Sequence, residues 1–502
     1  MSDTPTTTGT TNRPPSIFDA CEPRQDVLTG ELAEDQFAAS LADVAHSDDA
    51  PDVYADPRLF FEKTYPTSGL QELLTRLATR FVGAHNDDYT GTNGILRLDT
   101  SFGGGKTHNQ IAAYHLAESP SAVPDLSDFI LDQDIADEYT DAAALGLDVN
   151  SAVFVGTHVD AEDARSNYDD PDAPATKTMW GEMAYQLFGR EGYEFLREND
   201  ENRTPPGTTK LERLFERNDN PSLILIDEIA AYLEQAAAVE IGDSTLAKQT
   251  NTFLMSLLSA TQNNDKVTVV LSIADTAFAD QAEDVRGLVS ETISEFNSIS
   301  DRVEGSITPT EDNEIAAVLR HRLFESVAGD GRDSTVDAYM SLYTGDRDSF
   351  PDSATNPEHQ DRLEDSYPIH PTVIDTLTEE LDSLPSFQRT RGALKLLSRA
   401  VYRLWQHQSD YQDRHFVRLF DMHPSDGDVR STLLRLFSSV DMDFEAAIKA
   451  DIFSEDGTAN AEEEDRNWVK NGHPPLGTHL TTAILWKSIV KGADGRGTTR
   501  RP

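Results

Sequence analysis

Gly103-Gly104-Gly105-Lys106-Thr107-His108 follows an apolar strand candidate at Ile95–Leu98 and precedes a helical stretch, His108–Glu118. Glycines let backbone N–H groups turn inward around phosphate oxygens, and the start of the next helix adds its positive dipole end. In that arrangement Ser101 and Phe102 belong to the cradle, Lys106 reaches the β- and γ-phosphates, and Thr107 ligates Mg²⁺. His108, on the first helical turn, either faces the nucleotide or packs against the sheet. The pattern departs from the usual phosphate loop at one place, where Thr100 stands in the position of the first glycine.

A second element points to the same chemistry. Pro221–Ile226 is an apolar strand candidate that ends in Asp227 and Glu228. Parallel strands present their functional groups at their carboxyl ends. There Asp227 would hold Mg²⁺ and Glu228 would polarise an attacking water. A third strand candidate, Val267–Ile273, ends in small polar groups. ATPases with a glutamate after the metal-binding aspartate usually insert a strand between the two motif strands, tipped by a polar residue that orients the water or senses the γ-phosphate. Ser272 and Asp275 are the candidates for that residue, with Thr276 behind them.

The elements around these residues alternate. Ala152–Val155 and Ser306–Thr308 complete a set of five strand candidates, separated by helical stretches at Met179–Phe188 and Leu246–Thr261. This predicts an α/β fold with a parallel five-stranded sheet sandwiched by helices. Ahead of it, Leu70, Leu73, Leu74, Leu77 and Phe81 share one helical face. After Pro309 the strands are expected to stop. Glu311–Phe324, Thr372–Leu381 and Gly392–Gln406 are helical, and His370-Pro371 starts the second of them. The expected organisation is a disordered leader at 1–15, a helical region at 16–90 and a nucleotide-binding core at 91–310. A helical lid at 311–407 and an extension at 408–502 follow. The tail, where a helix at Thr481–Lys491 runs into a basic Gly-rich end, suggests a chain shorter than its parent.

The 502 residues carry 89 acidic and 42 basic side chains, a net charge of −47. The acids are scattered between apolar segments, which is the surface expected of a cytoplasmic protein from a high-salt organism, where screening shortens to about 3 Å near 1 M salt. No stretch approaches the roughly 18 apolar residues of a membrane helix. The single cysteine, Cys21, excludes an internal disulfide and a cysteine zinc site. No H-E-x-x-H pair and no G-x-S-x-G elbow occur, so metalloprotease and serine-hydrolase chemistry have no support. The four tryptophans form no base-stacking platform.

The acid pair on the third strand, the polar tip on the fourth and the trailing helices resemble the AAA+ superfamily. More narrowly, Thr100–His108, Thr178–Ala184, Arg320–Phe324 and Gln388–Gly392 resemble a family of large AAA+-like P-loop ATPases known as a domain of unknown function. Its members often lie beside DNA methyltransferase or helicase genes in prokaryotic phage-defence islands. The resemblance spans roughly residues 20 to 490.

That resemblance implies ATP and Mg²⁺ as cofactors and two arginine roles. Arg302, just before the fifth strand, would reach the γ-phosphate of a neighbouring copy in a homo-oligomer. Arg391 or Arg389, ahead of a lid helix, would contact phosphate from the same chain. The expected partner is a DNA methyltransferase or another defence protein. DNA contact has no residue-level support, because the basic run Arg389-Arg391-Lys395-Arg399-Arg403 suits a lid helix equally well. Two functions compete: an ATP-hydrolysing motor or switch, and a nucleotide-dependent scaffold with little turnover.

Overall fold

The computed structural model describes residues 13–30, 39–86, 92–99, 105–123, 126–165, 173–273, 287, 306–381, 389–436 and 444–488. Two compact units emerge, one of residues 38–314 and one of residues 1–37 with 315–502. Within the described residues, no helix is long and apolar enough to cross a membrane.

The first unit is built on a five-stranded parallel sheet. Its strands are β1 (Ile95–Asp99), β2 (Asn150–Val155), β3 (Ser222–Asp227), β4 (Val267–Ile273) and β5 (Ser306–Ile307), in the spatial order β2-β3-β4-β1-β5. Parallel neighbours need long crossovers, and helices supply them. These are α2 (Lys106–Glu118), α3 (Gln133–Ala144), α4 (Met179–Glu201), α5 (Thr208–Phe215), α6 (Ile229–Ala237) and α7 (Leu246–Gln262), while α1 (Ser68–His85) comes before the first strand.

Side chains alternate across the strands and sort the core into two layers. Leu223 and Leu225 of β3 meet α1, α2 and α3, whereas Ile224 and Ile226 meet α4 through α7. Because both faces are covered, β3 is buried along its whole length, which explains its unbroken apolar run. α1 starts where Thr67 accepts the Leu70 N–H, and it buries Leu70, Leu73, Leu74, Leu77 and Phe81 completely or nearly so. Truncating a side chain such as Leu74 to alanine would cost about 2–5 kcal/mol.

Arg80 on the same helix is also buried. Its guanidinium donates to the carbonyl oxygens of Thr92, Asp265 and Val267 and to the Thr268 hydroxyl, at 2.6–2.8 Å. This satisfies backbone groups at the amino ends of β1 and β4, opposite the strand ends that carry the acids.

The second unit is mainly helical, with α8 (Ile315–Leu323), α9 (Gly329–Gly345), α10 (Arg389–Gln406), α11 (Gly427–Leu436), α12 (Asn460–Lys470) and α13 (Leu476–Ser488). Strands do not stop after Pro309, contrary to the sequence expectation. Phe324–Val327 is a strand paired antiparallel with Cys21–Pro23. Its partner lies about three hundred residues earlier, so no local pattern announces it. Arg24 fastens the junction, donating to His321 O at 2.9 Å and pairing with Glu325 at 2.9 Å. Cys21 is buried in this core, and burial pushes its thiol up to about 12, so it is held as an inert thiol.

Candidate functional site

Asp227 is the last residue of β3. The register sets Ile226 opposite Leu271, so Asp227 lies beside Ser272 of β4. Alternation turns both side chains toward α2, whose first turn carries Thr107. The three close on one another. Thr107 Oγ1 donates to Asp227 Oδ2 at 2.8 Å, and Ser272 Oγ donates to Oδ1. The Glu228 N–H donates to Oδ1 at 3.0 Å.

Asp227 is 2% exposed and makes no ion pair among the described residues. Burial therefore raises its carboxyl above the usual range. The Ser272 bond opposes that shift, the nearby Glu228 charge adds to it, and the Thr107 bond opposes it. A buried carboxylate facing a threonine hydroxyl, with no ion pair among the described residues, is a hard-oxygen donor set that suits Mg²⁺. No group of three or more His, Cys, Asp or Glu side chains able to hold a metal occurs among the described residues.

Glu228 follows in the left-handed region at φ 51°, ψ 33°, a conformation non-glycine residues seldom adopt. It sits at the position preceding α6, yet its side chain caps nothing there. The carboxylate is exposed and accepts a hydrogen bond from the Thr157 hydroxyl. Thr157 follows β2, the strand next to β3. Gly156 beside it donates its N–H to Asp227 O at 2.9 Å, and a Cβ on Gly156 would lie 2.2 Å from Glu228 O. The two turns are thus clamped backbone to backbone. Sequence reasoning missed Gly156 and Thr157. The available signal was a Gly-Thr pair directly after an apolar strand, meaningful only once β2 is known to neighbour β3.

Gly105 precedes α2 at φ 87°, in the left-handed region where glycine is favoured. A Cβ there would come within 3.2 Å of Thr310 Oγ1. Lys106 is half-buried on the first turn of α2. Gln110, one turn on, donates to Ile226 O at 3.1 Å and ties α2 to β3.

His108 turns elsewhere. Its Nε2 is 2.9 Å from Thr64 Oγ1, and its ring lies 4.5 Å from that of Phe60, so it packs among the helices ahead of the sheet. Arg391 is half-buried in the first turn of α10, within the second unit. Thr100, Ser101, Phe102, Gly103, Gly104, Asp275, Thr276 and Arg302 lie outside the described residues, as does the side chain of Arg389.

Residues 17–307 match the model of the DUF499 N-terminal domain, and residues 310–496 match that of the DUF499 second domain. No curated protein matches. A solved structure of C. elegans PCH-2 is 11% identical, covers 77% of this chain and 72% of that chain, and aligns with a TM-score of 0.28, too slight a likeness to carry an argument.

Proposed function

We propose that this chain, which belongs to the DUF499 family, is an AAA+-like ATPase that binds and hydrolyses ATP with Mg²⁺. The observation that carries this reading is the bond from Thr107 to Asp227, with Glu228 next along the chain. Two polar side chains from distant segments meet at the carboxyl ends of parallel strands, where ligands of open α/β sheets bind. Lys106 and the turn ending at Gly105 would cradle the phosphates. Thr107 and Asp227 would hold Mg²⁺, which offsets phosphate charge when bound. Glu228 would orient and polarise the attacking water, Ser272 would hold Asp227 in place, and Arg302 of a neighbouring copy would stabilise the transition state. Under this reading residues 311–407 act as the lid that brings Arg391 to the nucleotide. Coupling to a DNA methyltransferase or another defence protein belongs to the same proposal and rests on the family resemblance alone.

A scaffold that binds ATP with little turnover is the second reading. The Thr157–Glu228 bond favours it, because it holds one carboxylate oxygen at the turn after β2. One experiment separates the two. ATP turnover is measured in molar KCl across a protein concentration series, for the wild-type chain, Glu228→Gln and Arg302→Ala. Turnover that rises steeply with concentration and collapses in both variants supports the oligomeric ATPase. Tight ATP binding without turnover, unchanged by either substitution, replaces it with the scaffold.

A further inference from the structure

The turn after β2 carries more than the Thr157 hydroxyl. His158 comes next, and its Nδ1 lies 3.2 Å from Thr157 Oγ1. The backbone of this turn is held on several sides. Gly156 N–H donates to Asp227 O and His158 N–H donates to Val155 O, each at 2.9 Å, and Val159 is buried. The side chains of Thr157 and His158 are exposed, so burial does not orient them and their hydrogen bonds do.

The direction of the contact between them follows from the protons available. A threonine hydroxyl has one proton to give and two lone pairs to accept with. Thr157 gives its proton to Glu228 Oε2. Toward His158 it is left only as an acceptor, so Nδ1 must carry a proton in this arrangement. A neutral imidazole has a single N–H, and the bond made by one ring nitrogen decides which nitrogen bears it. The neutral His158 ring is therefore the Nδ1–H tautomer, with Nε2 as its acceptor. In the doubly protonated ring both nitrogens donate, and the contact runs the same way.

The other tautomer would do the opposite. A bare Nδ1 is an acceptor, and it would compete with the Glu228 carboxylate for the one Thr157 proton. A hydroxyl that accepts a hydrogen bond is also polarised into a better donor, so the two bonds reinforce each other.

We propose that His158 is a positioning residue of the strand-end site: its Nδ1–H donates to Thr157 Oγ1 and thereby commits the Thr157 hydroxyl to Glu228. The role rests on the reading of Glu228 as the group that polarises the attacking water. His158 acts through Thr157, setting where the Glu228 carboxylate rests.

Two measurements on the full chain test this. Proton–nitrogen correlation spectra with labelled histidine read the tautomer at about pH 8.5, above the ordinary imidazole range. The signal missing from His158→Phe identifies this ring among the 13 histidines. It should show Nδ1–H in the wild type and lose that preference in Thr157→Val. In ATP turnover, His158→Phe should raise kcat about twofold or more with KM unchanged, because the hold on Glu228 weakens. His158→Asn, whose side-chain amide presents an N–H close to the place of Nδ1–H, should restore the wild-type rate. Added to Thr157→Val, His158→Phe should change nothing further, since both act through one contact. A merely structural role would not separate Asn from Phe or depend on Thr157.

An Nε2–H ring in the wild type overturns the proposal whatever the rates. So does a full additional effect of His158→Phe in the Thr157→Val background. Turnover that is lost in Glu228→Gln yet equal in the wild type and His158→Phe overturns the proposal and leaves the ATPase reading standing. No turnover in the wild type removes both.

Discussion

Thr107 and Asp227 are joined by a 2.8 Å hydrogen bond although 120 residues separate them in the chain. The bond holds a carboxylate in a place where burial alone would oppose its charge, and that conflict is measurable. The folded-state pKa of Asp227 is raised, so the native state binds a proton more readily than the unfolded chain. Stability from this group is therefore complete below the ordinary carboxyl range and is lost as pH rises through the raised folded value. At neutral pH without nucleotide, Asp227→Asn removes the penalty. The variant should melt about 2–4 °C higher, a gain of the order of 1 kcal/mol, while losing Mg²⁺-dependent turnover. A lower melting temperature at pH 7 would mean that the carboxylate is not strained by burial.

Glu228 and Thr157 give a second prediction. A hydrogen bond to a charged group contributes about 1.5–3 kcal/mol, and under the scaffold reading this one keeps Glu228 from a water near the phosphates. Thr157→Val should raise basal turnover about three- to tenfold with the ATP concentration for half-maximal rate unchanged. Gly156→Ala should do the opposite, because its Cβ would drive into the Glu228 carbonyl and displace the turn. Steady-state kinetics of the two variants decide the matter, and equal rates in wild type and Thr157→Val would remove Thr157 from any role.

Local pattern carried much of this architecture. The five strand candidates fall within two residues of the observed ones because each is an apolar run ending in a small or acidic residue. Val267–Ile273 does lie between the strands leading to Thr107 and to Asp227, in the order expected of the acid-pair ATPases. What escaped sequence reasoning is nonlocal. Thr157 reaches Glu228 only because β2 pairs with β3, and Phe324–Val327 is a strand only because Cys21–Pro23 comes to pair with it. His108 illustrates the same limit, since its neighbours Thr64 and Phe60 sit more than forty residues upstream.

Arg80 supports the far end of the sheet and should matter to stability rather than chemistry. Arg80→Met keeps an unbranched apolar stem of similar reach but removes the donors. Three carbonyls and the Thr268 hydroxyl would then lose a partner, and each buried group left unsatisfied costs about 1–3 kcal/mol. The expected loss exceeds about 3 kcal/mol in urea unfolding of the first unit. A loss below about 1 kcal/mol would show that water replaces the guanidinium there.

The second unit should be sensitive to mild acid through His423. Burial pulls its imidazole down to about 3, assisted by the Arg403 charge and by His479. Arg403 comes from α10 and His479 from α13, and the nearby Asp421 carboxylate is paired with Arg414. The unfolded chain takes up a proton near pH 6.5 and the folded one does not, so stability is complete above that value and falls as pH drops toward 3. The slope is about 1.4 kcal/mol per pH unit for this one histidine. His423→Asn keeps an acceptor for the Ser425 N–H and cannot titrate. Its unfolding free energy, measured between pH 6.5 and 5, should fall less steeply than that of the wild-type chain by about one proton's worth. Other titrating groups contribute equally to both and cancel in the difference. Parallel slopes would mean that the His423 ring is protonated in the folded protein.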